Sequence, residues 1–343
     1  MNYKINTDYK LVDINKWEAF VKNHPEGNVF QTPEMYNVYK SEKNYEPVLV
    51  VCSNQDDEII GLLVSVIQRE YKGLLGRLSA RSIIWGAPLI KENNIEILKI
   101  VLREYDNIVR KKAVYTQIRN LWNTDLFKKD FEAFGYIYEE HLNILVDLTK
   151  SIDELWKEVY SRRRSQINKS ERLGVKIRIF DEPDLINQSY EILIDVYKRA
   201  KLPLAGIEFF KMANEILGAK GKIKFFGAFV EGRLIGVMYL LCYRERTYEW
   251  YIGSYTDYLR MHPNDLIIWE ILKWSKKNGF TIFDFGGAGS PNKEYGVREY
   301  KKKFGGKTEN LGRYQKIHSR FLMFISVIGF KIWQLIKFGF NKN

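Results

Sequence analysis

Apolar and polar residues alternate along this chain in two kinds of pattern. Runs rich in β-branched and aromatic residues, such as Pro47–Cys52 and Ile59–Ile67, flank the polar segment Ser53–Glu58 and predict a strand–turn–strand. Longer stretches, such as Ile95–Lys112, carry apolar residues at helical spacing and predict helices. Because strands and helices follow one another in this way, we expect an α/β fold.

The same order of elements occurs twice. Lys224–Val230 and Leu234–Cys242 predict a second strand–turn–strand, and the Ile-Ile-Gly at 59–61 corresponds to the Leu-Ile-Gly at 234–236. In both halves the pair is followed by a strand, a helix and another strand, and the second of these helices is predicted over Asn264–Lys277. We therefore predict two tandem α/β domains of similar fold.

Length and charge are compatible with this duplication and add one expectation. The 343 residues suffice for two ordinary domains, and a hydrophobic content of 45% suffices for their cores. The chain has 54 Lys and Arg against 42 Asp and Glu, a net charge of +12. This excess indicates an anionic partner such as a nucleic acid, a phosphorylated sugar or an anionic membrane.

Cysteine and histidine give no sign of a disulfide framework or a metal centre. Cys52 and Cys242 lie far apart in apolar, strand-like runs, which suits a reducing compartment. The four histidines show no ligand spacing, so we expect no metal site. The N-terminal segment MNYKINTDYK has no apolar signal core, and we expect a cytoplasmic protein.

Glycines are concentrated in a late stretch that joins a short apolar strand to a basic helical turn. Residues 280–306 read FTIFDFGGAGSPNKEYGVREYKKKFGG. Glycine allows the backbone to approach a ligand or to adopt positive φ, and the lysines that follow are suited to a bound anion. A strand–turn–helix connection with a solvated basic face is the structural alternative.

This stretch resembles the signature near the end of the FemABX family: Asp-Phe-Gly-Gly, then Gly-Val, then Tyr300-Lys301 and Phe-Gly-Gly. Members of that family are peptidoglycan interpeptide-bridge aminoacyltransferases built from two GNAT-like domains, and the wider group includes BioF2-like acyltransferases. The resemblance implies one GNAT-like domain over 1–148 and a second over 149–312 that carries the signature. No long charged heptad stretch occurs, so the chain resembles the shorter members without a helical arm.

The resemblance also implies roles for individual residues. Lys301, after the aromatic and substrate-binding Tyr300, is expected to meet the terminal adenosine and the ester of the donor and to stabilise the oxyanion or the tRNA end. Tyr251 matches the aromatic-x-Gly-Ser strand end that touches the acceptor, with a half-buried strand tyrosine as the alternative. Asp284 is expected to orient a base or a lysine, or else to accept a hydrogen bond in the loop.

A phosphate contact is implied near the N-terminus. Thr32 and Pro33 are suited to the N-cap and first position of a helix, which follows Gln31 as it does in the family. Lys40 stands near the family's phosphate-contacting lysine, and Met35 stands where the family usually has Trp. A solvated lysine at the helix end is the alternative for Lys40.

A basic helix joins the two predicted domains. Ser161–Arg178 carries seven basic residues against one acid, and the helix is expected to end near Leu173, before Gly174. Arg163, Lys169 and Arg172 are candidates for holding RNA phosphates or a pyrophosphate. A solvated helix face is the alternative.

The C-terminal segment is strongly basic. Residues 310–343 contain six basic residues and no acid, and Phe321–Phe330 is uncharged but too short to span a bilayer. We expect 313–343 to form a basic amphipathic helix that lies on the inner surface of the cytoplasmic membrane. The alternative is that its apolar side packs on the first domain.

Two observations limit which acyl-transfer mechanism and which acyl donor the sequence supports. The chain has no GxSxG motif and no readable Ser/His/Asp constellation, so a covalent acyl-enzyme is not supported. The stretch Leu259–Asp265 stands where GNAT enzymes bind coenzyme A pyrophosphate, yet it has no glycine. Pro263 removes an N–H there and Asp265 adds a negative charge, which opposes pyrophosphate binding.

The leading hypothesis is therefore a FemABX-like acyltransferase without a bound cofactor. It moves an aminoacyl group from aminoacyl-tRNA to an amine of a lipid-linked or nucleotide-linked cell-wall precursor. The second hypothesis is a GNAT-like N-acyltransferase that uses acyl-CoA or acyl-carrier protein on an amino sugar of a surface polysaccharide. The third is a non-catalytic GNAT-like scaffold that binds membrane or RNA.

Overall fold

The computed structural model describes residues 3–70, 73–326 and 328–329. The strands are β1 Lys4–Asn6, β2 Tyr45–Ser53, β3 Ile59–Gln68, β4 Arg81–Trp85, β5 Leu89–Ile90, β6 Tyr115–Arg119, β7 Ile137–Glu139, β8 Leu142–Asp147, β9 Lys176–Phe180, β10 Ile223–Val230, β11 Arg233–Tyr243, β12 Arg246–Ser254, β13 Ile282–Gly287, β14 Lys307–Asn310 and β15 Arg313–Ile317. The helices are α1 Ile14–Asn23, α2 Pro33–Ser41, α3 Gly73–Ser79, α4 Ile95–Val109, α5 Lys128–Ala133, α6 Ile152–Glu158, α7 Ser161–Arg172, α8 Pro183–Ala200, α9 Ile207–Ala213, α10 Pro263–Lys277 and α11 Gly296–Lys302.

The chain divides into two compact units. The first unit comprises Met1–Glu140 and Leu311–Asn343, as far as these residues are described, and the second comprises His141–Asn310. The sequence predicts domain boundaries after 148 and 312, and this division of the structure falls a few residues earlier, after 140 and 310. Residues 313–343, predicted as a separate segment, belong to the first unit in this division, as far as they are described.

The first unit is built on a sheet with the strand order β1–β2–β3–β4–β6–β15–β7, in which β5 pairs with β3. Helix α4 packs on this sheet because its apolar residues recur at helical spacing, and Leu98, Val101 and Tyr105 are fully buried. Asn94 caps the helix by accepting hydrogen bonds from the backbone N–H groups of Glu96 and Ile97.

The second unit has a sheet of its own, in the order β14–β8–β13–β12–β11–β10–β9. Helix α10 covers it with the buried residues Ile267, Ile268 and Ile271, which lie in one apolar cluster with β11 and β13. The helix ends at Lys277 with Asn278 as its C-cap, before Gly279, whose φ of 82° is the left-handed conformation that glycine favours.

The two units share the predicted order of elements. In the first, β4 and β6 are parallel and are joined through α4; in the second, β12 and β13 are parallel and are joined through α10. Each parallel pair is flanked by an antiparallel strand from a distant part of the chain, β15 beside β6 and β8 beside β13. The predicted duplication of an α/β unit is confirmed at the level of topology.

Strand β15 corrects part of the expected C-terminal helix. Arg313–Ile317 are extended and pair with both β6 and β7. They form a strand because Tyr314 is fully buried against the apolar side of the sheet, while its neighbours point to the other face with the period of two that a strand imposes. The helical conformation begins only at residue 320.

The remainder of the expected amphipathic helix is only partly described. Within the described residues 320–326 and 328–329, the side chains of Phe321, Phe324 and Ile328 are exposed, at 72%, 67% and 42%. Residues 327 and 330–343 lie outside the described part of the chain. No helix of the described residues is long and apolar enough to cross a membrane.

His318 links the segment after β15 to the first unit and predicts a pH dependence. Its Nε2 lies 2.8 Å from the hydroxyl of Thr116, and burial, reinforced by Lys316, lowers the pKa of His318 from 6.5 to about 4. The neutral ring is therefore favoured in the folded state, and its contribution to stability is complete above pH 6.5 and is lost as the pH falls toward 4. The shift corresponds to about 3 kcal/mol.

We expect the free energy of unfolding of the wild type to fall more steeply between pH 7 and pH 4 than that of His318→Gln. The difference between the two curves isolates His318 from the carboxylates that titrate in the same range. Denaturant unfolding at a series of pH values measures it. Parallel curves for the two proteins would show that His318 is not held neutral.

Candidate active site

The parallel strands of the second unit separate partway along their length. Pairing between β12 and β13 runs from Arg246 opposite Ile282 to Tyr248 opposite Asp284, although both strands continue beyond these residues. A β-bulge at Trp250 changes the register between β11 and β12 just after the last pair. Bulges bend a strand and increase its twist, so an opening forms where the two strands diverge.

Lys301 reaches the start of this opening from helix α11. Its Nζ lies 2.9 Å from Oε1 of Glu249, the first residue of β12 beyond the last pair. The same ammonium group donates a hydrogen bond to the carbonyl oxygen of Phe285, the first residue of β13 beyond that pair. Lys301 is 7% exposed. Both strands therefore contribute an acceptor that fixes the position of this cation.

A second buried network lies at the first turn of α10. The carboxylate of Asp265, 3% exposed, accepts two hydrogen bonds from Nη1 of Arg163, at 3.0 and 3.1 Å, and one from the hydroxyl of Tyr300 at 2.8 Å. The guanidinium of Arg163 also stacks over the ring of Tyr300 at 4.4 Å. Burial, followed by the charge of Asp265, raises the pKa of Tyr300 well above its usual value, so this hydroxyl acts as a donor.

His262 completes the turn that leads into α10. It has a φ of 54°, and its Nδ1 lies 3.6 Å from the Asp265 carboxylate. Burial is the main cause that lowers the pKa of His262, and the nearby cations Lys169 and Arg163 lower it further, while Asp265 raises it.

Two backbone N–H groups at the beginning of α10 are satisfied within the turn itself. The backbone N–H groups of Asp265 and Leu266 donate to the carbonyl of His262 at 3.1 and 3.3 Å, and Pro263 has no N–H. The Asp265 carboxylate occupies the end of the helix where the dipole favours an anion. A pyrophosphate at this helix start would have to displace a carboxylate that already holds Arg163.

Asp284 belongs to the last residue pair between β12 and β13 and lies directly before the irregularity in β13. Its Oδ1 accepts hydrogen bonds from the backbone N–H of Gly286, at 2.6 Å, and from Nδ2 of Asn143, at 3.4 Å. Gly286 has a φ of 70°, which glycine adopts without strain. Asp284 is fully buried, and burial raises the pKa of its carboxyl group. This geometry favours the predicted loop hydrogen bond, in which Asp284 shapes the bend beside Lys301.

Tyr251 belongs to an aromatic cluster on the other side of β12. The bulge places Trp250 and Tyr251 on the same side, where the Tyr251 ring lies 4.9 Å from Phe210 and 5.7 Å from Tyr197, centroid to centroid. Trp250 contacts Phe209 at 5.4 Å. Tyr251 is half-buried, so part of its ring contacts the cluster and part remains accessible.

The basic residues of α7 separate into two groups. Arg163 is turned inward to Asp265, whereas Lys169 and Arg172 are exposed. Lys40 is exposed in the last turn of α2 and belongs to the first unit, so it is not part of the constellation described here. The second unit therefore contains two separate buried networks, one of Lys301 with Glu249 and one of Tyr300 and Arg163 with Asp265.

Glu249 is the member of this site that the sequence analysis did not identify. Its signal is a carboxylate in the otherwise apolar and aromatic run from Tyr248 to Ile252. Charged residues in such a position are rarely buried without a partner. The partner, however, lies 52 residues further along the chain, so that only the fold shows the pairing with Lys301.

A family model for the acetyltransferase (GNAT) domain matches residues 158–302. Among curated proteins, no match to this sequence was found. The match to the GNAT family model covers most of the second unit, including both buried networks.

Solved structures resemble the whole chain. The structure of FemX is 16% identical, with a TM-score of 0.71, and the match covers 98% of this chain and 100% of that one. L-PGS from Bacillus licheniformis is 16% identical with a TM-score of 0.59, covering 93% of this chain and 96% of that one. The C-terminal domain of a putative lysylphosphatidylglycerol synthetase from Agrobacterium fabrum is 13% identical with a TM-score of 0.59, covering 96% and 97%.

A tandem GNAT protein from the clavulanic acid biosynthesis pathway also matches, at 10% identity and a TM-score of 0.59, over 93% of this chain and 99% of that one. The predicted fold of two tandem GNAT-like units is thereby confirmed. The chain is an acyltransferase with the fold of FemX, in line with its resemblance to the FemABX family, and its second unit carries the GNAT acetyltransferase domain.

Proposed function

We propose that this acyltransferase moves an aminoacyl group from aminoacyl-tRNA to an amine of a peptidoglycan precursor. The observation that carries the choice of donor is the occupied start of α10. There the Asp265 carboxylate, which Arg163 and Tyr300 hold, takes the place that an anionic pyrophosphate would need. A donor whose reactive ester is bound elsewhere avoids this conflict.

In the proposed reaction the neutral acceptor amine attacks the carbonyl carbon of the aminoacyl ester. The new C–N bond forms, the C–O bond to the tRNA ribose breaks, and the proton that the attacking nitrogen loses goes to the ribose oxygen, which leaves as a hydroxyl. Lys301 supplies positive charge where the oxyanion develops, and Glu249 and the Phe285 carbonyl keep its ammonium group in place.

The remaining predicted residues are proposed as contacts of the two substrates. Lys169 and Arg172 are exposed cations on α7 and are suited to tRNA phosphates. Tyr251 is proposed to contact the acceptor, whose amine is a cation before it loses its proton, because aromatic rings attract cations. Lys40, on the first unit, is proposed as a phosphate contact.

The similar structures support aminoacyl transfer on this fold. A lysylphosphatidylglycerol synthetase, by its name, produces a lipid that carries lysine, so the fold suits both aminoacyl transfer and lipid products. A lipid-linked acceptor would place the reaction at the inner face of the cytoplasmic membrane. The exposed side chains of Phe321, Phe324 and Ile328, together with the basic residues of 313–343, support peripheral binding there.

The donor is tested by binding of the purified protein to aminoacyl-tRNA and to acetyl-CoA, each at two salt concentrations. We expect salt-sensitive binding of aminoacyl-tRNA and no saturable binding of acetyl-CoA. Saturable coenzyme A binding would contradict the choice of donor and would favour the second hypothesis, an N-acyltransferase acting on an amino sugar.

Charge-matched variants separate specific phosphate contacts from the general basic charge. Lys169→Gln combined with Arg172→Gln is expected to reduce the slope of log K against log salt for tRNA by about 1 to 2. Lys157→Gln combined with Lys277→Gln removes the same charge from exposed positions of the same unit and should leave the slope nearly unchanged. Equal effects of the two pairs would exclude α7 as a tRNA contact.

A further inference from the structure

The first unit carries a cluster of arginines on one face of its sheet, where β4, β6 and β15 lie side by side. Arg119 of β6 and Arg313 of β15 are directly opposite each other in the antiparallel register. Arg81 of β4 is opposite Tyr115, which lies on the same face of β6 as Arg119 because side chains alternate along a strand.

Arg119 is held in a fixed position. Its guanidinium stacks over the ring of Trp85 at 4.8 Å, and Trp85 in turn stacks on Phe30 at a centroid distance of 5.1 Å. Its Nε donates a hydrogen bond to Oε1 of Gln117 at 2.8 Å. The stack and this bond orient the planar group, and they leave its two terminal nitrogens for other partners.

The charges around Arg119 are unbalanced. Like charges directly opposite each other in adjacent strands are destabilising. Arg81 forms an ion pair with Glu70 at 3.0 Å, and Glu139 lies opposite Arg313 on its other side, in β7. Within the described part of the chain, no carboxylate forms an ion pair with Arg119. Burial, followed by the charges of Arg313 and Arg81, lowers the pKa of Arg119 to about 10, while Tyr115 and Tyr39 oppose this shift.

The hydroxyl of Tyr39 is a further polar group close to this cluster of arginines. Its side chain is 4% exposed, and its hydroxyl has no hydrogen-bond partner among the residues that the structure describes. Burial is the main cause that raises its pKa, and the charge of Arg119 counteracts it, so the hydroxyl remains protonated and able to donate. A buried hydroxyl without a hydrogen-bond partner and an arginine without a carboxylate partner are both suited to an anionic ligand.

We propose that Arg119 and Arg313 bind a phosphate group on the first unit, with the Tyr39 hydroxyl as an additional donor. Two guanidinium groups and a hydroxyl offer more hydrogen-bond donors than a carboxylate can accept, because its two oxygens lie in one plane. A phosphate presents at least three oxygens in different directions and therefore fits this set of donors better. An anion between the two arginines also removes the repulsion across the strand pair. This inference does not depend on the identity of the acyl donor.

Thermal unfolding and calorimetric titration with inorganic pyrophosphate, at constant ionic strength, test the site. Pyrophosphate is expected to raise the melting temperature of the wild type and to bind saturably, because a ligand of the folded state stabilises it. Arg119→Gln and Arg313→Gln should each weaken binding about tenfold or more. Arg313→Gln leaves the stack of Arg119 on Trp85 in place. It therefore tests the site even if Arg119→Gln does not fold.

Arg103→Gln, at an exposed position of α4, removes the same charge and should leave pyrophosphate binding unchanged. Without ligand, Arg313→Gln is expected to melt at the same temperature as the wild type or higher, because the repulsion is relieved. The absence of saturable binding to the wild type, or an equal loss in Arg103→Gln and Arg313→Gln, would overturn the proposal.

The source of the phosphate is distinguished by a second titration with vesicles that contain phosphatidic acid. If the ligand is a lipid phosphate, Arg313→Gln should weaken vesicle binding. If the ligand is a soluble phosphate, the wild type and Arg313→Gln should bind vesicles equally, while Arg313→Gln loses pyrophosphate binding. The Lys301→Ala variant should bind pyrophosphate like the wild type in both cases. Failure of the proposed aminoacyl transfer is thereby distinguishable from failure of this site.

Discussion

Replacing Lys301 by alanine is expected to lower the turnover of acyl transfer by about 100-fold or more, which is the effect of removing a single group that stabilises an oxyanion. Its ammonium group lies where β12 and β13 separate, and it is the cation that both strands hold there. The loss should appear in kcat, since the interaction is strongest in the transition state. Steady-state kinetics of aminoacyl transfer to the acceptor amine measure it.

Loss of folding must be separated from loss of chemistry. Lys301 and Glu249 form a buried pair, with side chains 9% exposed, and removing the lysine alone leaves a carboxylate without its partner. This costs about 3–5 kcal/mol of folding free energy. Combining Lys301→Met with Glu249→Leu removes both charges and should recover most of that stability, but it should not recover turnover.

Lys302→Ala is the matched control on the same helix. Its side chain is 41% exposed, and it forms only an exposed ion pair with Glu299. We expect changes within about 0.5 kcal/mol in stability and little change in kcat, as for other surface substitutions. If Lys301→Ala folds and turns over at the wild-type rate, or if turnover returns in the double variant, Lys301 does not act on the oxyanion.

The fold could be predicted from the sequence where pattern and repetition agreed. A strand–turn–strand occurs in each half, with Ile59–Ile67 as the second strand in the first half and Leu234–Cys242 in the second. Each half also places a helix between two strands. These features depend on residues close together in sequence. Periodicity and turn residues report such local features reliably.

Features that depend on distant pairing could not be predicted in this way. Strand β15 pairs with β6, almost 200 residues earlier, and its alternation over five residues is weak beside the basic, apolar sequence that follows. Likewise, the sequence shows Glu249 and Lys301 but not their contact, because the bulge at Trp250 and the separation of β12 from β13 bring about that geometry.

The signature lysine and the residue before it illustrate the same limit. The resemblance singled out Tyr300 and Lys301 together, yet the two side chains belong to different networks. Lys301 is bound to Glu249, whereas Tyr300 donates to Asp265 and lies under Arg163. Adjacent residues on a helix point in different directions, so a short motif can supply both the reacting group and the support beneath it.

The second large effect is a loss of stability, which we expect when Asp265 is replaced. Replacing it by alanine leaves Arg163, whose side chain is 15% exposed, without its carboxylate and should lower the free energy of unfolding by about 3–5 kcal/mol. Tyr300→Phe removes only one hydrogen bond to the same carboxylate and should cost about 1–2 kcal/mol. Asp257→Ala, at an exposed position before α10, is the matched control and should stay within about 0.5 kcal/mol of the wild type.

The double variant decides whether Asp265 and Arg163 act as one unit. If they do, Arg163→Leu combined with Asp265→Leu will destabilise the protein by less than the sum of the two single changes, because neither charge is left buried without a partner. Denaturant unfolding of the four proteins gives this coupling energy. Additive effects would mean that the Asp265 carboxylate is not committed to Arg163. The start of α10 would then be available to a pyrophosphate, and the argument for a donor other than coenzyme A would lose its structural basis.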